Sequence, residues 1–391
     1  MDNRTCFCRN PRCTLYGRGT PLAQLKFCDW HFGAARFQCR TCRQRVAART
    51  GTAYTGVRTD LSTYRRGAVA LAEGLSIRAT GRLLGVDKDT VNHWLPILGR
   101  HCQGVMNYFF RNLHLSECQL DELWTFIAKK QAHLTPLEQL QEVYGDAWVW
   151  IAFAPEWRLA AAFVVGKRDQ AHANVLLERV HAVSCGYIPF FTSDQLPHYT
   201  HALLHVYGTP EILLHIPGKR GPKPTPKRLA PADLHYAQVV KRRKSGRVVE
   251  VTTKIIFGSE AAVQARLAVS PVSQTINTSF IERNNLTCRQ CNGRLSRKVL
   301  SFSKDLTWLE KHLWLSLAYY HFVLPHDSLS QRLSEPEPTR GSGSPKQWQP
   351  ITPAMAAGLT DHVGTMEELL SYRVPPDFRD RLDQQATNHT S

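Results

Sequence analysis

The sequence predicts an α/β core preceded by a small zinc-binding module and a helix-turn-helix. Three observations predict it. Six of the 11 cysteines crowd into residues 6–42. Two helical runs separated by a Gly-centred turn follow at residues 76–95. From residue 118 onward, apolar strand-like runs alternate with helical ones. The 391 residues are enough for two or three domains with their own cores. The expected boundaries are 1–55 for the zinc module, 56–112 for the helix-turn-helix and 113–325 for the α/β domain, with a basic insertion at about 209–270. Residues 326–350 then read as a linker and 351–391 as a C-terminal tail.

The cysteine spacing justifies the first module. Cys8-x4-Cys13 and, further on, Cys39-x2-Cys42 make two close pairs separated by a loop. A tight turn fixes two thiolates at one side of a tetrahedron, and a second pair closes it around one structural Zn²⁺. Clustered cysteines in a cytosolic protein favour metal over disulfides. Cys6, Cys28 and His31 are further donors, and Cys28-x2-His31 could replace one pair or bind a second ion.

The next segment reads as helices at 61–73, 76–84 and 88–95, with Ser76 an N-cap and Gly85-Val86-Asp87 the turn. Ile77, Leu83, Leu84, Val86, Val91, Trp94 and Leu95 are the expected core. Lys88, Thr90, Asn92 and His93 are the candidates to enter a DNA major groove. Charge points the same way. The formal net charge is +17, concentrated in residues 1–100 (17 Lys/Arg against 6 Asp/Glu) and 218–247 (10 against 1). A polyanionic partner is implied, double-stranded DNA above all. No apolar run approaches the ~20 residues of a membrane span, and no lipidation signal accompanies the charge. The N-terminus lacks a signal-peptide pattern, so a cytoplasmic, nucleoid-associated protein without membrane contact is expected.

Within the α/β domain, Cys118–Ile127 reads as a strand carrying Asp121. Residues 146–154 and 159–165 read as a hairpin, Gln170–Val183 as a helix, Ile188–Thr192 as a strand leading into Asp194, and His198–Tyr207 as a helix. Glu282 opens a helical stretch at 279–324, with Arg289 seven residues on and so on the same helix face. Carboxylates are hard oxygen ligands, and two or three that converge suit a pair of Mg²⁺ or Mn²⁺ ions for phosphodiester chemistry. Glu122 is expected on the opposite strand face, in a supporting role. Residues 209–257 interrupt the alternation. A Pro- and Lys-rich loop at 217–228 leads to two basic strands around Ser245-Gly246, where Lys241, Arg242, Arg243 and Lys244 are candidate DNA contacts. Arg294, Arg297 and Lys298 extend the positive surface, and the remainder, including Thr352–Gly358 and Met366–Leu370, is expected to dock as a short helix.

Taken together these stretches resemble a DDE transposase of the insertion-sequence-one family and its longer relatives. The resemblance rests on the Cys-x4-Cys…Cys-x2-Cys head, Ser76–Leu95, Asp121-Glu-Leu-Trp-Thr-Phe126, Thr192-Ser-Asp194, and Thr275–Thr287 through Arg294–Lys298. It covers roughly residues 5–325, with a similar-looking Pro353–Gly358 beyond. It implies a ribonuclease H-like core, with Asp121, Asp194 and Glu282 as the catalytic acids and Arg289 as the basic residue following the Glu. It also implies two Mg²⁺ ions, DNA ends and target DNA as partners, and a homo-oligomer on DNA. The 87 residues between Asp194 and Glu282 exceed those of compact members, which the basic insertion accounts for, and Glu250 and Glu260 are alternative third acids. A non-catalytic DNA-binding regulator and a nuclease of the same fold are the competing readings.

Overall fold

The computed structural model describes residues 8, 10–16, 25–31, 33–141, 143–211, 227–339, 341 and 343–374. Cys6 and most of the Pro- and Lys-rich loop fall outside them. The chain divides into two compact units. One comprises Met1–Phe109, Cys288–Ser301 and Thr307–Ser391; the other comprises Phe110–Thr287 and Phe302–Leu306.

The first unit opens with a three-stranded antiparallel ribbon, β1 (Leu25–His31), β2 (Ala34–Cys39) and β3 (Arg45–Ala47). Its small core is Cys8, Cys13, Leu25 and Cys39. Then come α1 (Leu61–Ala72), α2 (Ile77–Leu84) and α3 (Lys88–Phe109). Asp60 caps α1 by accepting the Thr63 N–H, and Ser76 caps α2 by accepting the Ala79 N–H. Gly85 ends α2 at φ +68°, the left-handed conformation that glycine adopts without penalty. Tyr64, Val91, Trp94, Leu95 and Leu98 are buried and make the core of this helical group. Leu83, expected there, is 66% exposed. Thr80 and Gly81 are the inward residues of α2, and two residues past Gly81 the helix has turned Leu83 away.

The second unit is built on a six-stranded mixed sheet in the order β11-β10-β7-β4-β5-β6. Strand β4 (Glu117–Ile127) leads, through a short helix α4 (Pro136–Gln141), to the antiparallel pair β5 (Gly145–Ala154) and β6 (Leu159–Gly166). Helix α5 (Gln170–Val183) precedes β7 (Phe190–Asp194), which lies parallel to β4, and α6 (Pro197–Tyr207) follows. The two-residue strands β8 (Thr209–Pro210) and β9 (Arg228–Leu229) pair with each other. Next, β10 (Tyr236–Lys244) adds parallel to β7, and β11 (Arg247–Phe257) folds back as the antiparallel edge strand. The segment expected as a basic insertion therefore contains a sheet strand. Tyr236, Ala237, Gln238 and Val239 are buried and pair with β7, while Arg242 to Lys244 continue β10 in its pairing with β11 and are exposed. Helix α7 (Glu260–Ala268) sets Val263 and Leu267 against Phe190 and Ala237. Helix α8 (Ser279–Cys291) begins in this unit; from Cys288 its residues belong to the first.

The helical stretch expected over 279–324 is broken. Residues 292–305 are non-helical, and α9 (Leu306–Phe322) follows. Gly293 lies so close to Gly74 that a Cβ would stand 2.6 Å from the Gly74 carbonyl oxygen, and this approach seats the loop on the turn after α1. Strands β12 (Gln331–Glu337) and β13 (Lys346–Gln349) pair as an exposed hairpin within the expected linker. Two short helices, α10 (Pro353–Ala356) and α11 (Met366–Ser371), complete the first unit. A capping box between Thr365 and Glu368 starts α11, and the Leu369 and Leu370 carbonyls accept from His101 and Ala53. Among the described residues no helix is long and apolar enough to cross a membrane.

Candidate functional site

Two clusters carry chemistry. In the first, the sulfurs of Cys8, Cys13, Cys39 and Cys42 all lie within 4.8 Å of one another. Cys8 and Cys42 are 3.3 Å apart and Cys13 and Cys39 3.9 Å. A tetrahedral zinc site with bonds of about 2.3 Å separates its sulfurs by about 3.8 Å, so the set fits one Zn²⁺. Burial pushes the Cys8 thiol up to about 12. Burial also opposes ionisation of Cys42. It is outweighed by hydrogen bonds from the Gln44 backbone and from Cys8, Asn10 and Cys39, which bring that thiol down to about 6. Cys28 sits apart on β1, its thiol donating to the Lys26 carbonyl. The sequence left the ligand set open among seven donors, and the structure gathers these four.

The second cluster lies in the second unit. Adjacent parallel strands β4 and β7 carry Asp121 and Asp194. Helix α8 is pinned over them by Gln119. Its amide donates to the Asn277 carbonyl (3.0 Å) and its oxygen accepts the Ile281 N–H (2.9 Å). Thr192 also donates to the Asn277 carbonyl. These bonds fix the first turn of α8 and with it Glu282. The Thr278 hydroxyl bridges Asp194 (3.3 Å) and Glu282 (3.1 Å). Asn285, one turn after Glu282, donates to Asp121 at 2.7 Å. Lys241 Nζ lies 3.1 and 3.3 Å from the two Asp194 oxygens and 2.5 Å from Glu282 Oε1. Burial is the main reason the Asp121 carboxyl is raised to about 7; the charges of Glu122, Asp194 and Glu282 add to it, while the Glu122 N–H opposes.

Does this set suit a hard divalent cation? The donors are all oxygens, as Mg²⁺ and Mn²⁺ require. Asn285 Oδ1 is buried without a hydrogen-bond partner, so one more oxygen is uncommitted beside Asp121. The Lys241 ammonium stands where a cation touches both Asp194 and Glu282. The acids are nevertheless spread: among the described residues no carboxylate trio brings its oxygens within the 4.8 Å that unites the four cysteines. The donor chemistry therefore suits the ion, with Lys241 as the cation that Asp194 and Glu282 share.

No protein-family model matches the chain, and the search of curated proteins finds no match.

The remaining site residues fall into different places. Glu122 accepts from Tyr199 (3.1 Å) and pairs with Arg168. Arg289 spends an Nη on the Leu295 carbonyl at 2.7 Å, inside the loop that follows α8. Arg294 is half-buried there, and Arg297 and Lys298 are exposed. On α3, Lys88 and His93 are exposed, and Thr90 and Asn92 are half-buried. Arg242 pairs with Glu250 across the β10–β11 hairpin at 2.9 Å, and Arg243 and Lys244 project into solvent. Glu250 therefore faces an arginine on the hairpin, and Glu260 lies exposed in the first turn of α7. Lys241 differs from its three basic neighbours by turning onto the acids. Sequence reasoning also missed Asn285, Thr278 and Gln119. The signal for the first two was spacing: residues 278, 282, 285 and 289 share one face of a helix.

Proposed function

We propose that this chain is a DDE-type DNA transposase with a ribonuclease H-like core. Support for the core comes from strand order. The antiparallel run β6-β5-β4 is continued by parallel β7 and β10, with β11 as an added edge. The observation that carries the function is convergence. Two acids from neighbouring strands and one from a helix, remote in sequence, lie around Lys241 and Asn285 at the surface of one sheet.

Asp121, Asp194 and Glu282 would hold two Mg²⁺ or Mn²⁺ ions, which supply an activated water or 3′-hydroxyl nucleophile and stabilise the leaving oxygen. Asn285 orients Asp121, and Thr278 stands between Asp194 and Glu282. Strand cleavage at an element end comes first, and attack of the freed 3′-hydroxyl on target DNA follows. The zinc ribbon and helix-turn-helix recognise the ends, with Lys88, Thr90, Asn92 and His93 at base edges. Arg242, Arg243, Lys244, Arg294, Arg297 and Lys298 contact backbone phosphates. Holding two ends together calls for a homo-oligomer on double-stranded DNA, in the cytoplasm at the nucleoid.

The test is strand transfer with purified protein, Mg²⁺ and labelled DNA carrying the ends that flank its gene. Wild type is compared with Asp121→Asn, Asp194→Asn and Glu282→Gln. Joined products lost in all three variants are expected. Cutting without joining would make the chain a nuclease of the same fold. End binding without cutting, in Mg²⁺ and in Mn²⁺, would make it a DNA-binding regulator.

A further inference from the structure

We infer that Lys241 is a tethered counter-cation that holds Asp194 and Glu282 around one point and has to leave before a divalent ion binds there. The inference rests on the reading of the acids as metal ligands.

Register puts the lysine in place. Strand β10 runs parallel to β7 with Val239 opposite Asp194, so Lys241 stands two residues further along. Side chains two apart share a sheet face, which sets Lys241 beyond the β7 terminus, where Asp194 ends the strand. Its side chain is 22% exposed, against 74% for Arg242 beside it. The ammonium has three donors, and three carboxylate oxygens of Asp194 and Glu282 lie within 3.3 Å. Contacts this complete distinguish Lys241 from Arg242, which makes one exposed pair with Glu250, and from the exposed Arg243 and Lys244.

The same oxygens cannot serve both cations. Mg²⁺ takes oxygen ligands at about 2.0–2.1 Å in a strict octahedron, and an ammonium seated among them fills that space. With Lys241 in place the mutual repulsion of Asp194 and Glu282 is neutralised and the ion-free site stays assembled. A cation from solvent then competes with one carried by the chain itself. The four-carbon stem of lysine lets the ammonium swing away without moving the strand. The Thr278 hydroxyl, within reach of both carboxylates, can donate its one proton to either of them during the exchange. Lys241 thus acts as a positioning residue that sets the metal concentration at which the site loads.

The experiment measures Mn²⁺ binding to the full, zinc-loaded chain by the loss of the free-ion electron paramagnetic resonance signal. Lys241→Met should tighten Mn²⁺ binding on the order of tenfold, because the competing state is removed. Lys241→Arg, which keeps the charge, should not tighten it. Lys241→Met should also lower the thermal midpoint without metal, and saturating Mn²⁺ should restore it. Lys241→Gln provides a polar second variant if the Met variant fails to fold. Unchanged or weaker Mn²⁺ binding in the Met or Gln variant, with binding still lost in Glu282→Gln, overturns the role of Lys241 and leaves the carboxylate site standing. Absence of Mn²⁺ binding in wild type and variants alike overturns the site and the role together.

Discussion

Asp121 occupies a position where a carboxylate is costly unless a cation is near. Burial and the charges of Glu122, Asp194 and Glu282 hold its carboxyl at about 7 in the folded chain, above its ordinary value. A carboxyl raised on folding binds more protons in the folded than in the unfolded state between those two values. Stability is therefore lost as pH rises through that window and stays lost above it. Asp121→Asn should raise the metal-free thermal midpoint at pH 8, by an amount of order 1–4 kcal/mol in unfolding free energy, and change it little at pH 4. Thermal melts at the two pH values in a chelator check this; equal effects at both would contradict the linkage. Gly67 makes a second residue-scale case. Alanine normally stabilises an exposed helix position by about 1 kcal/mol. Here a Cβ would stand 2.4 Å from the Trp94 ring, so overpacking decides the sign. Gly67→Ala should destabilise the chain by about 1–3 kcal/mol in denaturant unfolding.

At the scale of elements, the cysteine ribbon and helix α8 are each held by few interactions. The ribbon's core is Cys8, Cys13, Leu25 and Cys39, too small to fold without the metal its thiols would hold. Stripping zinc, or changing Cys39 to Ser, should lower affinity for the proposed element ends while leaving the far-ultraviolet signal of the helices largely intact. Circular dichroism and a gel-shift titration separate the two effects. Helix α8 depends on Gln119, whose amide satisfies the Asn277 carbonyl and the Ile281 N–H. Gln119→Leu would remove the Ile281 N–H's acceptor and leave the Asn277 carbonyl with Thr192, at a cost of about 1–3 kcal/mol for the buried N–H. The predicted outcome is a lower melting temperature together with weaker Mn²⁺ binding, since Glu282 rides on that helix turn.

Across the whole molecule, the first unit is assembled from three separated stretches of chain. Its last stretch is structural. Met366, Leu369, Leu370 and Val374 are buried, Tyr54 donates to Glu367 at 3.1 Å, and Arg65 pairs with the same carboxylate. Deleting residues 351–391 should therefore destabilise the unit that holds α1 to α3 and impair the proposed end binding, although no proposed DNA-binding side chain is removed. Unaltered melting and DNA affinity in the truncated chain would show the tail to be dispensable. The net charge of +17 makes a further claim at this scale: affinity for DNA should fall steeply with salt. Removing one proposed phosphate contact, as in Arg243→Ala, should reduce the slope of log affinity against log salt by about 0.9.

Local pattern was enough where an element's neighbours in space are its neighbours in sequence. The helix Gln170–Val183, the hairpin around Pro155–Arg158, the Ser76 cap and the Gly85 turn were legible because periodicity and capping act over a few residues. The paired cysteines were legible for the same reason. Beyond that range the sequence was silent or misleading. The two basic strands around Ser245-Gly246 were legible, but not that the first of them joins the main sheet, because its pairing with β7 spans more than forty residues of chain. The Pro/Gly/Ser-rich stretch read as a linker carries the β12–β13 hairpin, which only cross-strand register reveals. Helix α9 is buried on nearly every face, so its own pattern names no partner, and only packing assigned it to the first unit rather than the α/β domain. By itself the sequence determined which residues have ligand chemistry and which short segments are helix or strand. Tertiary structure alone decided that Lys241 meets the acids, that Asn285 supports Asp121, and that Arg289 is tied to its own loop. Those arrangements depend on how the chain is folded in space, and no local propensity encodes them.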